Sequence, residues 1–273
     1  MKASAFSYAR ATSVGDALEL LVAHGDKAKV LSGGQSLMPA MNLRLISPEL
    51  IVDIGELAEL RGIAVRGDVL NIGALTRHVD LLNSPDIAAH APLLTEAIAH
   101  VAHPAIRNRG TLGGSLAHAD PASELPACMV ALNAIIIIRG QASERRIAAE
   151  DFFTGIYETA LSAQELLVAV ELPVTKKESA HFFFEFARRH GDYAIAGLAA
   201  QAIMAGGRLA GLRMAHSLPS ATGLYWPGPR TSSSTSLLRL RRWRMRRQRW
   251  AKSLIPRTIS RRPLRCAGIL RSC

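Results

Sequence analysis

Cysteine is scarce in this chain: Cys128, Cys266 and Cys273 are the only three among 273 residues. Three scattered thiols supply neither a four-cysteine iron–sulfur cluster nor a paired zinc-ligand spacing, so any metal centre serving the protein is expected on another chain. Cys128, which follows Pro126-Ala127 in an apolar run, reads as a buried, inert thiol. Long apolar runs are missing too. The longest candidate, Ala134–Ile138, falls far short of the roughly 18–20 residues of a membrane helix and reads as a buried strand. Met1-Lys2-Ala3-Ser4 leads into ordinary sequence without an apolar signal core, so a cytoplasmic location is the expectation. His100, His103, His118 and His190 form no i, i+4 pair and no cluster with carboxylates or thiols, which argues against a metal site.

Acidic residues vanish at one end. Leu218–Cys273 holds 14 Lys/Arg and no Asp or Glu, which leaves 19 basic against 22 acidic groups in residues 1–217. The overall net charge of +11 thus belongs to one segment, and the body of the chain carries a net of −3. With 49% hydrophobic residues and a mean hydropathy of +0.14, that body reads as globular, with roughly two domains at about 100–200 residues each.

Helices and strands alternate through the first two-thirds. Ser13 is a helix N-cap, Asp16 complements the dipole, Ala17, Leu18, Leu20, Leu21 and Ala23 form an apolar stripe, and Gly25 ends the helix. Strands are expected at Lys29–Leu31, Leu50–Ile54, Leu70–Gly73, Ala134–Arg139, Leu166–Leu172, Phe182–Ala187 and Leu212–Ala215. Thr76 is expected to cap a helix running through Asp80–Asn83. Further helices are expected at Ala89–Val101 and at about Ala194–Ala205, the latter followed by a turn at Gly206-Gly207.

Two glycine-rich segments carry the chemistry: Ser32-Gly-Gly-Gln-Ser36 and Thr111-Leu-Gly-Gly-Ser115. Consecutive glycines let backbone N–H groups turn inward as an anion-binding nest, and no Cβ blocks a diphosphate. Ser32, Ser36, Thr111 and Ser115 add hydroxyl donors without burying a charge. Neither segment ends in Gly-Lys-Ser/Thr and neither fits Gly-x-Gly-x-x-Gly, so a P-loop and a Rossmann site are both unsupported. A Gly-Gly pair by itself is an ordinary turn.

Their company changes that reading. In order come Ser32-Gly-Gly-Gln-Ser-Leu-Met-Pro39, Asn42-Leu-Arg-Leu45, Leu50-Ile-Val-Asp-Ile-Gly55, Ile72-Gly-Ala-Leu-Thr76, Ile106-Arg-Asn-Arg-Gly-Thr-Leu-Gly-Gly-Ser115, Asp120-Pro-Ala-Ser-Glu-Leu-Pro126 and Arg188-Arg-His-Gly-Asp-Tyr-Ala194. This set, spanning about Phe6–Ala215, resembles the FAD-binding medium subunit of the molybdenum hydroxylases, most closely that of carbon monoxide dehydrogenase and its aerobic relatives. The resemblance implies an α+β fold: a two-subdomain FAD-binding fold of the vanillyl-alcohol-oxidase (PCMH) type at 1–57 and 58–175, then an incomplete α+β C-terminal subdomain at 176–215 and an aberrant tail at 216–273. It implies FAD pyrophosphate on Ser32, Gly33, Gly34, Gln35 and Ser36 and on Thr111, Gly113, Gly114 and Ser115, with Leu37 also among the cofactor-binding residues. Thr76 and Asp120 would line the same cleft, Glu124 would lie near the ribityl or adenosine portion, Leu167 would touch the ring system, and Asp192-Tyr193 would flank the isoalloxazine. Glu124 reads equally as a helix N-terminal carboxylate, Tyr193 as an ordinary half-buried aromatic, and Arg107 and Arg109 as structural or as pyrophosphate counter-charges.

No catalytic base is implied. In such enzymes substrate is oxidised at the molybdenum cofactor of a large subunit, and electrons pass through two [2Fe–2S] clusters of a small subunit to FAD and then to an acceptor. The assembly expected is a dimer of heterotrimers. A stand-alone flavin oxidase is the enzymatic alternative.

The tail allows three readings. Arg239–Arg249, with Trp243 and Trp250 interleaved, suits a nucleic-acid arm or a basic segment on an acidic membrane. The reading favoured here is a shifted frame. Taken from each codon's third base, synonymous codons for Ser217–Pro227 permit Glu-Arg-Asp-Arg-Pro-Val-Leu-Ala, and those for Ala251–Cys273 permit a stretch containing Asp-Asp-Leu-Gln; both resemble the family's continuation. On that reading no nucleic-acid partner and no membrane span is expected. The C-terminal subdomain would instead lack its last elements and expose apolar faces.

Overall fold

The computed structural model describes residues 2–175, 178–205 and 208–217. The turn at Gly206-Gly207 and every reading of residues 218–273 lie outside the described residues.

The chain begins with a small parallel sheet. Strand β1 (Ser7–Arg10) is followed by helix α1 (Val14–His24), β2 (Ala28–Leu31), helix α2 (Leu37–Asn42) and β3 (Leu50–Asp53). The sheet order is β1-β3-β2, with β3 parallel to both neighbours. Ser13 caps α1 by accepting the Asp16 N–H at 3.1 Å, and Asp16 accepts the Thr12 N–H at 2.8 Å. Gly25, at φ +51, ends the helix. Val14, Ala17, Leu18 and Leu21 turn their stripe onto Leu50 and Val52 of the central strand.

A five-stranded antiparallel sheet follows: β4 (Ile63–Arg66), β5 (Val69–Gly73), β6 (Ile135–Arg139), β7 (Glu144–Ala148) and β10 (Leu166–Pro173) in the order β4-β5-β10-β6-β7. Short strands β8 (Phe153–Gly155) and β9 (Glu158–Thr159) pair with each other. The run Ile135–Ile138 is apolar throughout because both faces of this sheet are covered. Ile137, with Leu166 and Val168, packs against α1 and β3, while Ile136 and Ile138 join the larger core on the opposite face. That core is built from α3 (His78–Asn83), α4 (Pro85–His90), α5 (Pro92–Ile98), α6 (Pro104–Arg107), α7 (Leu112–His118), α8 (Glu124–Ala131) and α9 (Ala149–Phe152). Cys128 is fully buried in α8, and burial pushes its thiol up.

The last described layer is an antiparallel sheet, β11 (Ser179–Phe186), β12 (Ala196–Ala205) and β13 (Arg208–Ser217). It extends the larger core through Phe183, Ala199 and Ala215. Together the elements form an α+β fold.

Three expectations are corrected. The segment read as a helix at about Ala194–Ala205 is strand β12. Its alanines favour a helix intrinsically, but pairing on both edges and burial of Gly197 and Ala199 beneath α8 override that preference. The helix expected at Ala89–Val101 is broken between α4 and α5. Pro92 has no N–H to donate and forces Ala91 out of the helical region, to φ −144 and ψ 55. Thr76 caps nothing: Arg77 is the N-cap of α3, and the Thr76 hydroxyl instead donates to the Gly62 carbonyl at 3.1 Å and accepts the Gly62 N–H at 3.2 Å.

Candidate functional site

The two glycine-rich segments converge. Strand β2 delivers Ser32–Ser36 to the end of the parallel sheet, and the turn after α6 delivers Thr111 beside it. Ser32 Oγ and Thr111 Oγ1 lie 2.7 Å apart across 79 residues of sequence. Gly33 permits the approach, since a Cβ there would overlap the Arg109 carbonyl and the Gly110 Cα. Gly34 adopts φ +72, the left-handed conformation that turns successive amides to one side. Among the described residues the N–H groups of Gly33, Gly34, Gln35 and Ser36 make no hydrogen bond, so four donors remain for a ligand. The Gln35 side chain donates to the Gly33 carbonyl at 2.9 Å and stiffens the turn.

The second segment is organised differently from the nest expected of it. Thr111 is the N-cap of α7, so Gly113 and Gly114 form a first helical turn rather than an open loop. Their amides are already used: Gly113 donates to the Ala74 carbonyl at 2.8 Å, Gly114 to Thr111 Oγ1 at 3.2 Å and Ser115 to the Thr111 carbonyl at 3.1 Å. Gly113 is glycine for packing, because a Cβ would stand 2.6 Å from that of Ala74. What this segment offers the cleft is the Thr111 hydroxyl.

Around the junction lies a cleft of about 820 Å³ containing Ser32, Gly33, Gly34, Gln35 and Thr111. Arg10, Arg61, Arg77 and Arg109 also reach it, opposed by Asp53 and Glu56. Asp53 is spoken for by the Tyr8 hydroxyl at 2.5 Å and the Gly55 N–H at 2.8 Å, and Glu56 by Arg10 at 3.2 Å. The Arg77 and Arg109 guanidiniums make no ion pair among the described residues, which leaves the cleft electropositive. Arg77, Arg61 and Arg10 carry no sequence pattern that would have marked them. Arg107 turns away and donates to the Val101 and Ala102 carbonyls at 2.8 and 3.0 Å, a structural role.

A second group of the expected residues gathers at the other end of α7, whose seven residues span about 10 Å. Asp120, at 8% exposure, accepts the Ala122 N–H at 2.9 Å. Ser115 Oγ meets Ser123 Oγ at 3.3 Å. Glu124 opens α8 almost fully buried; desolvation and the neighbouring Glu185 and Asp120 push its carboxyl up to about 8, so it is protonated at neutral pH. Tyr193 stands 79% exposed within electrostatic reach of Asp120 and Glu124. Tyr157 joins them unforeseen, with its ring 5.0 Å from that of His118 and its N–H on the Ala119 carbonyl at 3.1 Å. Tyr157 and Ala119 both have positive φ, +56 and +49, which no sequence pattern betrays. Thr76 and Leu167 are buried at 3% and 4%, and Leu167 sits in the larger core. Asp192 donates its N–H to the Arg189 carbonyl at 3.1 Å in the turn that carries Tyr193.

An electropositive cleft with free amides at one end of α7, and aromatic rings beside a neutral carboxyl at the other, fit a ligand that joins a diphosphate to a ring system. FAD has that constitution. The free amides and the hydroxyl pair suit its phosphates, and the exposed tyrosines suit a planar ring.

Comparison with known proteins agrees with this chemistry. Residues 4–175 match the family described as the FAD binding domain in molybdopterin dehydrogenase. The chain is 46% identical over 199 residues to the 6-hydroxypseudooxynicotine dehydrogenase complex subunit alpha of Paenarthrobacter nicotinovorans, covering 73% of this chain and 67% of that protein. It is 38% identical over 226 residues to the carbon monoxide dehydrogenase medium chain of Hydrogenophaga pseudoflava, covering 83% and 79%. Among solved structures, carbon monoxide dehydrogenase from the same organism superposes with a TM-score of 0.81 at 38% identity, covering 83% of this chain and 78% of that one. Quinoline 2-oxidoreductase from Pseudomonas putida 86 superposes with a TM-score of 0.77 at 40% identity, covering 83% and 78%. The chain belongs to the family of FAD-binding domains of molybdopterin dehydrogenases, and is an FAD-binding oxidoreductase subunit of the molybdenum hydroxylase type.

Proposed function

We propose that the chain is the electron-relay subunit of a heteromeric molybdenum hydroxylase. It takes electrons from [2Fe–2S] clusters on a small partner subunit, which receive them from a molybdenum cofactor on a large one, and releases them to an acceptor. The assembly proposed is a dimer of heterotrimers in the cytoplasm. Segments 1–57 and 58–175 form the two halves of the cofactor domain, and 176–215 begins a third subdomain.

The observation that carries the cofactor placement is the meeting of Ser32 and Thr111 beside the unpaired amides of Gly33–Ser36. In this reading those groups and Arg109 hold the pyrophosphate, while Asp120, Glu124, Asp192 and Tyr193 face the ring-bearing half. FAD, when bound, supplies the redox chemistry. The protein's residues orient it, balance its phosphate charge and keep a protonated carboxyl, Glu124, near the far end of α7. Partner subunits are supported by the relatives, whose names describe a complex subunit alpha and a medium chain.

Affinity purification of the tagged full chain from its native cell, followed by flavin and metal analysis, tests the proposal. Iron and molybdenum should co-purify with FAD. FAD without either metal would contradict the relay role and favour a self-sufficient flavoprotein.

A further inference from the structure

We propose that His78 is a positioning residue of the cofactor cleft, its buried imidazole clamping the Gly110–Thr111 backbone and so fixing the hydroxyl that Thr111 presents to Ser32. The inference rests on the FAD reading of that cleft.

His78 opens α3 at 5% exposure. Its backbone N–H donates to the Gly110 carbonyl at 2.9 Å, and its Nε2 lies 3.0 Å from the Thr111 carbonyl. A carbonyl only accepts, so Nε2 carries the proton and Nδ1 is bare. Nδ1 is buried and has no partner among the described residues. The ring also occupies the space of the missing side chain of Gly110, where a Cβ would stand 2.9 Å from both Nδ1 and Cε1. Imidazole and glycine are therefore complementary in shape, while the ring's hydrogen bond goes to the next residue, Thr111. Arg77, one residue earlier, forms an isolated antiparallel bridge with Thr111, so adjacent residues hold the same turn from two directions.

The arrangement has a cost that a packing role would not require. A buried Nδ1 without a donor is unfavourable, and leucine would fill the same volume without it. The polar return is the bond to Thr111, whose carbonyl also accepts the Ser115 N–H and whose hydroxyl accepts the Gly114 N–H. Burial and the nearby Arg107 guanidinium hold the imidazole down to about 4, so it is neutral and the donor stays on Nε2.

Three variants of the full chain test the clamp: His78→Leu, which keeps volume and removes the donor; His78→Gln, which keeps a donor; and Gly110→Ala, which displaces the ring. FAD affinity is read by flavin fluorescence, and amide exchange at Gly114 is read in the FAD-free chain. His78→Leu and Gly110→Ala should weaken FAD binding about tenfold and speed exchange at Gly114, because the Thr111 carbonyl would keep the Ser115 N–H but lose the side-chain donor that fixes the turn. His78→Gln should stay within about threefold of the unmodified chain, rescued by its amide. Equal losses in the leucine and glutamine variants, or unchanged affinity in the leucine variant, would overturn the proposal. If the unmodified chain binds no FAD, the cofactor reading falls and exchange alone decides. Faster exchange at Gly114 in the leucine variant than in the glutamine variant would still support the clamp, and equal rates would overturn it.

Discussion

Ser32 and Thr111 meet hydroxyl to hydroxyl at 2.7 Å, and this one contact ties the end of the parallel sheet to the start of α7. Thr111 therefore has three tasks: it caps α7, holds Ser32 and faces the cleft. Thr111→Val removes the acceptor of the Gly114 N–H and should cost about 0.5–2 kcal/mol of stability, as lost N-caps do. FAD affinity should fall with it. Thr111→Ser should retain most of both, as judged by thermal unfolding and flavin titration.

Glycines in this chain differ in what they tolerate. Gly33→Ala places a methyl group against the Arg109 carbonyl, so the first segment must shift and FAD affinity should drop at least about tenfold. Gly15, inside α1, has its nearest foreign atom at 3.6 Å from a built Cβ, and Gly15→Ala should stabilise the chain by about 0.5–1 kcal/mol. Flavin titration of the first variant and urea unfolding of the second check the contrast.

Glu124 sets an alkaline limit. Its folded carboxyl is raised to about 8 from 4.5, so the folded state keeps a proton that the unfolded chain has already released. Stability from this group is fully present below 4.5 and is lost as pH rises towards 8. Glu124→Gln should flatten that slope and raise the unfolding temperature at pH 8 relative to the unmodified chain, while changing little near pH 4.5. Differential scanning fluorimetry across pH shows which happens.

Leu94 on α5 is fully buried in the larger core. Leu94→Ala should cost about 2–5 kcal/mol, read as a lower urea midpoint with an unchanged slope.

Much of this architecture is legible in the chain because local and tertiary signals agree. Ser13, Asp16 and Gly25 bound α1 as their chemistry requires, and Ile135–Ile138 announces a strand covered on both faces. Legibility fails where tertiary contacts outvote local preference. The alanines of β12 favour a helix until two flanking strands and α8 claim them. Thr111 carries an N-cap signal, but the two glycines after Leu112 mask the helix that it starts. Residues that act singly leave no period to detect: His78 is one histidine among nine, and Arg77 reaches the cleft only because α3 begins beside Thr111. The positive φ of Tyr157 is likewise a property of the fold around it.

In the proposed function, Ser32–Ser36 and Thr111 together hold the diphosphate of FAD. Titration of the purified full chain with FAD, followed by its visible spectrum and flavin fluorescence, tests this most directly when Ser32→Ala and Thr111→Val are titrated alongside. Stoichiometric FAD binding by the unmodified chain and weaker binding in both variants are expected. A colourless chain that binds no FAD, or variants that bind it as tightly as the unmodified protein, would contradict this placement.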